Sequence, residues 1–139
     1  MKLTTAGGQL IHEIVDPAWD SSDGSPDPVQ LADVIIDAVA NGISLRQANL
    51  CGADLGGLDL TGADLEEASL QGARLVGANL TGASLLFARC HGADFTGANL
   101  TNAKLRGAWL FGCRGDGATT TGSDIERAER YDCHGALAP

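Results

Sequence analysis

The sequence predicts an all-β solenoid in which the chain winds into a square coil, and three observations carry that expectation. Residues 43 to 112 divide without a gap into fourteen blocks of five, beginning ISLRQ ANLCG ADLGG LDLTG ADLEE. Across those blocks the central residue is Leu twelve times and the first is Ala twelve times. The fifth is Gly ten times. An amphipathic helix needs apolar residues three and four apart, and a one-sided strand needs them two apart. Here they fall at positions one and three and the pattern then resets, which describes a very short strand followed by a turn.

Each part of the block has its own reason. Side chains alternate along a strand, so positions one and three share the inner face and the polar residue between them points outward. Gly at position five permits the positive φ that a tight corner often requires. Four corners close a coil of twenty residues, and coils stack at about 4.8 Å, the ordinary strand spacing, with backbone hydrogen bonds running between them. Ala beside Leu fills a narrow interior. Fourteen blocks make about 3.5 coils, and the pattern weakens through CRGDG ATTTG SDIER AERYD, where Gly115 and Thr120 are poor core residues.

The blocks ANLCG, ADLGG, ADLEE, ANLTG, ADFTG and ANLTN resemble the motif A(D/N)LXX of the pentapeptide-repeat proteins. The resemblance covers residues 43 to 112 and implies a right-handed quadrilateral β-helix of about 3.5 to 4 coils. It is specific for fold and says little about function, because the repeated residues are structural.

The flanks read as end pieces, since an open coil exposes unpaired backbone and apolar side chains. KLTTAGGQLIHEIV predicts a hairpin turning at Gly7 and Gly8, followed by the polar linker DPAWDSSDGSPD. SPDPVQLADVIIDAVANGIS then predicts a capping α-helix: Asp27 is the N-cap, Pro28 the first helical residue and Gly42 the stop. Leu31, Val34, Ile35, Ala38 and Val39 lie along one side. After the coils, SDIERAERY carries a capping box, Ser123 with Glu126, and reads either as a short terminal helix or as a degenerate coil centred on Ile125. The expected organisation is residues 1 to 42 as hairpin, linker and helix, 43 to 122 as β-helix, and 123 to 139 as a short C-terminal cap or tail.

Composition limits the function. Net charge is −9, from 9 basic and 18 acidic residues, so nucleic-acid binding through a basic surface is not expected. No apolar run suits a signal peptide or a membrane span, and the expected location is the cytoplasm, with thiols rather than disulfides. Cys113 and Cys133 stand twenty residues apart, close enough to pair only if the register persists that far. A cylinder packed with Leu and Ala offers no concave pocket, so no catalytic residue, cofactor or metal ligand is expected and the protein reads as a non-enzyme.

Function must therefore be written on the outside, where residues twenty apart form columns. Asp54, Arg74, Asp94 and Arg114 make one column of alternating sign, and Thr61, Thr81, Thr101 and Thr121 another; both read as stabilisers of stacked strands. Leu86, Phe87, Arg89, His91, Trp109 and Phe111 crowd one corner, with Phe87 where other blocks carry Gly. A terminal segment covers this patch or it is a candidate interface with a partner or a second copy, so the chain is expected to be a monomer or a homodimer. The resemblance adds one further reading, since some pentapeptide-repeat proteins are acidic dimeric rods that mimic DNA and bind DNA gyrase, conferring quinolone resistance. Against it, residues 43 to 112 hold five basic and six acidic groups, so the excess acid lies in the flanks. The preferred expectation is a scaffold or protein-interaction module with an unidentified protein partner.

Overall fold

The structure is a computed structural model that describes residues 2–4, 10–13 and 28–139. Near the amino terminus, strands β1 (Lys2–Thr4) and β2 (Leu10–Glu13) pair antiparallel. The expected turn at Gly7 and Gly8, the linker and the N-cap Asp27 lie outside the described residues. Helix α1 (Pro28–Ala40) follows. Its end is a Schellman motif: Ile43 N donates to Ala38 O at 2.8 Å, Gly42 N donates to Val39 O at 3.0 Å, and Gly42 has φ of +67°. Val34, Ile35 and Ala38 are buried in one cluster with the Leu residues of the following coils. Among the described residues no helix is long and apolar enough to cross a membrane.

From residue 45 onward the chain is a β-helix with a period of twenty. Parallel bridges link Asn49 to Ser69, Asp54 to Arg74, Asp59 to Asn79 and Asp64 to Ser84, and continue in that register to Trp109 and Glu129. The hydrogen bonds explain why five residues suffice for a side. Leu50 N donates to Ser69 O in the next coil at 2.8 Å, Ser69 N donates back to Ala48 O at 2.9 Å, and Ala48 N closes a turn onto Leu45 O at 3.0 Å. An i to i+3 bond with positive φ at the third residue is the signature of a type II turn. The fifth residue takes that φ whether or not it is Gly, for Gln47, Glu67, Phe87 and Asn102 lie between +56° and +59°. Hydrogen bonding between coils thus holds these four residues, and Asp132 at +54° in the last coil, in a left-handed conformation that costs each of them energy.

Pairing continues past residue 122. Strands β3 (Arg114–Gly115) and β4 (His134–Gly135) are parallel neighbours, again twenty apart. Between them Ile125–Arg127 forms a single 3₁₀ turn within the coil. The expected capping box does not form. Ser123 Oγ donates to Thr120 O at 2.7 Å, and the Asp124 side chain instead accepts the Leu105 amide, taking the place of the backbone carbonyl that this position would otherwise offer. Gly115 is nonetheless buried, because Leu137 fills the space that a side chain there would occupy.

The interior shows matched substitutions. Leu85, Cys90, Phe95 and Leu100 are the central residues of four successive blocks, and all are fully buried. The large ring of Phe95 and the small thiol of Cys90 therefore share one layer, which keeps the summed volume near that of four Leu. Cys90→Leu should overpack that layer and cost about 1 to 3 kcal/mol in denaturant unfolding. The double variant Cys90→Leu with Phe95→Leu should recover most of the loss, and equal costs for the single and double variants would show that the two positions do not compensate.

Candidate interaction surface

The side of the β-helix that begins each coil with residues 48, 68, 88, 108 and 128 carries two outward columns. One reads Asn49, Ser69, Arg89, Trp109 and Glu129, linked by parallel bridges at every step. The other reads Cys51, Gln71, His91, Phe111 and Tyr131, with Gly72 N donating to His91 O, Gly92 N to Phe111 O and Gly112 N to Tyr131 O at 2.8 to 2.9 Å. Stacked coils therefore bring together rings that lie twenty residues apart in sequence. The His91 ring meets Trp109 edge-on at 5.7 Å and Phe111 at 5.0 Å. The Arg89 guanidinium lies 5.8 Å from the centre of the Trp109 ring, within cation–π range. His91 Nδ1 is shut away by these neighbours and has no hydrogen-bond partner.

Of the six residues singled out by sequence, Arg89, His91, Trp109 and Phe111 form this contacting group, while Leu86 and Phe87 occupy the adjacent corner. Leu86 is half-buried and the Phe87 ring folds over Gly107 in the next coil, where any added Cβ would strike it. The corner and the face remain open to solvent: Phe87 is 52% exposed, Trp109 43% and Tyr131 74%. Tyr131 and Glu129 were not singled out by sequence. Their signal is positional, twenty residues beyond Phe111 and Trp109, and is hidden because SDIER and AERYD lack the Leu that marks the register.

The model of the family described as pentapeptide repeats matches the chain in eight copies, over residues 36–66, 43–82, 63–102 and 78–114. These stretches together cover more than half of the chain. The chain belongs to the pentapeptide repeat family. A pentapeptide repeat protein from the cyanobacterium Cyanothece 51142 is 34% identical over 63% of this chain and 56% of its own, with a TM-score of 0.45. Another from Nostoc PCC 7120 is 36% identical over 66% of this chain and 72% of its own, with a TM-score of 0.39. QnrB1, a plasmid-mediated fluoroquinolone resistance protein, is 22% identical over 54% of this chain and 56% of its own, at a TM-score of 0.26. The chain spans little more than half the length of the Cyanothece protein. No curated protein matches it.

The other sides of this pentapeptide repeat protein, a right-handed β-helix like its family, are occupied by internal bonding. Arg46 pairs with Glu66 at 2.7 Å and with Glu67, and Gln47 donates to Glu67 at 2.8 Å. In the alternating column Arg74 reaches Asp54 at 2.9 Å. The Thr column works differently from the expectation of stacking across coils. Thr81 Oγ1 donates to Asn79 Oδ1 at 2.7 Å and Thr101 Oγ1 to Asn99 Oδ1 at 2.6 Å, two residues back in the same coil. The backbone amides of Thr81 and Thr101 donate to the same oxygens. These local bonds form because an Asn or Asp side chain reaches the turn that follows it more easily than it reaches the next coil.

Cysteine chemistry is muted by the core. All four cysteines are thiols, so Cys113 and Cys133 do not pair, and their Sγ atoms donate instead to Cys90 O and Leu110 O. Burial pushes the Cys90 thiol well up, and burial with Cys133 beside it pushes Cys113 up to about 12.

The turn carboxylates titrate in the opposite sense. The Thr61 hydroxyl and amide hold Asp59 below its ordinary value, and the Thr96 hydroxyl and amide do the same for Asp94. Asp54 is lowered by the Gly56 amide and then by Arg74. A carboxylate depressed in the folded state binds fewer protons there than when unfolded, so its contribution is complete above about pH 4 and is lost as pH falls through the folded value. Thermal unfolding followed from pH 7 to pH 2 should therefore show a level midpoint that drops below about pH 4. Asp59→Asn with Asp94→Asn keeps the acceptor oxygen and should flatten that drop; an unchanged acid profile would contradict the assignment.

Proposed function

We propose that this chain is a non-enzymatic scaffold that binds a protein partner through the face bearing Arg89, His91, Trp109, Phe111 and Tyr131 and the corner bearing Leu86 and Phe87. The observation that carries the reading is that Phe87, Trp109 and Tyr131 are three of the four large hydrophobic residues exposed among the described residues, and they share this surface. Exposed rings with an Arg among them have the composition of protein interfaces rather than of an ordinary solvated face. In the same reading, α1 and Leu137 close the two ends of a quadrilateral β-helix. Closed ends prevent coils from adding to one another and leave the lateral face as the binding surface.

A gyrase-directed DNA mimic would need continuous acidic rows. The columns instead alternate Asp54, Arg74 and Asp94, or carry neutral Asn79 and Asn99, so this reading ranks second. Retention of proteins from a cell extract by the immobilised chain, compared with the variant Phe87→Ala and Trp109→Ala, separates the readings when run beside a gyrase supercoiling assay. The interface reading expects specific retention that the variant loses by tenfold or more while it still unfolds cooperatively as a folded β-helix. Equal retention by both proteins contradicts it, and salt-sensitive inhibition of supercoiling that the variant preserves would favour the mimic.

A further inference from the structure

The two outward columns of the aromatic face have a pattern that the fold does not demand. Along the axis one column runs Arg89, Trp109, Glu129, a cation and an anion placed one coil on either side of a ring. The second runs His91, Phe111, Tyr131. A copy of the chain laid face to face about a twofold axis parallel to the strands, through the Trp109 coil, sets each column on itself and reverses the order of coils. Trp109 then meets Trp109 of the second copy, Phe111 meets Phe111, and Arg89 meets Glu129 in both directions. His91 meets Tyr131, so the tyrosine hydroxyl lies on the imidazole side of the interface. At the corner the ladder is displaced by one residue, Gly107 N donating to Arg127 O at 2.9 Å rather than to residue 126, so the self-matching set is confined to the two columns. This correspondence of residue i with j and j with i is the property that a twofold interface requires. Parallel packing of the same faces would instead exchange the columns, setting Arg89 on His91 and Glu129 on Tyr131, with no opposite charges joined.

We infer that this face takes a second copy of the chain in antiparallel orientation, with Trp109 on the twofold axis and Arg89 on Glu129 of the second copy at each side. The inference rests on the interaction reading above and names its occupant. Charge complementarity selects the orientation, and area sets the strength. Three rows at about 4.8 Å by five residues at about 3.3 Å give a flat face of roughly 240 Å². That is well below the ~800 Å² per partner of a standard stable interface, so association is weak and reversible.

Sedimentation equilibrium of the full chain over a wide concentration range tests this. The weight-average mass should rise with concentration from 14.2 kDa toward twice that value. Arg89→Glu alone and Glu129→Arg alone each place like charges in contact and should weaken association at least about tenfold. Combined, the two substitutions restore opposite charges in the same register and should return association to within about threefold of the original, a rescue expected only where the two residues meet. All four proteins should remain folded with cooperative thermal transitions, the Arg89 variants giving up only the exposed contact with Trp109. A chain that stays monomeric at every concentration overturns the inference, as does a dimer indifferent to the single substitutions or not rescued by the double. Monomeric behaviour together with partner retention that depends on Phe87 and Trp109 would remove self-association and leave the interaction reading standing. Loss of both would remove the interaction reading as well.

Discussion

From Gln47 to Gly122 every corner of this coil holds one residue at positive φ, and the rest of the structure depends on that turn recurring every five residues; at Arg127 a 3₁₀ turn takes its place. The requirement comes from closure. One bridging residue per side cannot turn the chain through a right angle unless a tight turn follows it, and the turn must leave the next strand in register with the neighbouring coils. Glycine meets the condition without cost, as at Gly92 with φ of +66°. Gln47, Glu67 and Phe87 meet it against their own preference, and these three stand in one column. One edge of the rod thus carries large side chains where the equivalent positions elsewhere are mostly bare. Inter-coil hydrogen bonds hold the conformation, from both neighbouring coils at Glu67 and Phe87 and from the following coil alone at Gln47, and what is gained is a corner that can present Phe87 to solvent.

The same closure divides the molecule into an inside without chemistry and an outside that holds all of it. Central and first positions are filled by Leu, Ala and their compensating substitutes, and burial raises the thiols of Cys90 and Cys113 above their ordinary value. Outward positions fall into columns, and most columns satisfy themselves. Asn and Asp side chains cap the turn that follows, Arg46 is neutralised by Glu66 and Glu67, and Arg74 reaches Asp54. The aromatic face differs because its contacts leave something over: rings still exposed after stacking on one another, and a His91 nitrogen that is shielded yet unpaired. Surface that internal bonding does not use up is surface available for recognition.

Much of this was legible in the sequence, for a physical reason. A period of five with Ala, Leu and Gly at fixed places leaves the backbone few alternatives, so the coils, the helix from Pro28 and its stop at Gly42 could be read directly. The legible part of the candidate surface was the part inside that strict pattern, Leu86 to Phe111. The rest lay where the pattern weakens. Tyr131 and Glu129 keep the register through backbone bonds to Gly112 and Leu110, which leave no mark on residue type. Gly115 looked unsuited to a core because its filler, Leu137, arrives from twenty-two residues later. Ser123 and Glu126 spelled a helix start that the inter-coil ladder overrode, since Asp124 was engaged by the Leu105 amide.

The central claim is that one twenty-residue register runs from the first coil to the final strand and resumes after the local displacement at Asp124–Arg127, because the columns and the face built from them exist only if it does. Scalar couplings across hydrogen bonds, measured on isotopically labelled protein in solution, report that register bond by bond. The account predicts couplings from the Leu80 amide to the Asn99 carbonyl, from Leu110 to Glu129 and from His134 to Cys113, matching the bonds of 2.8 to 2.9 Å in the structure. Couplings from these three amides to other carbonyls, or a ladder that ends at residue 112 and leaves Glu129 and Tyr131 unpaired, would contradict it.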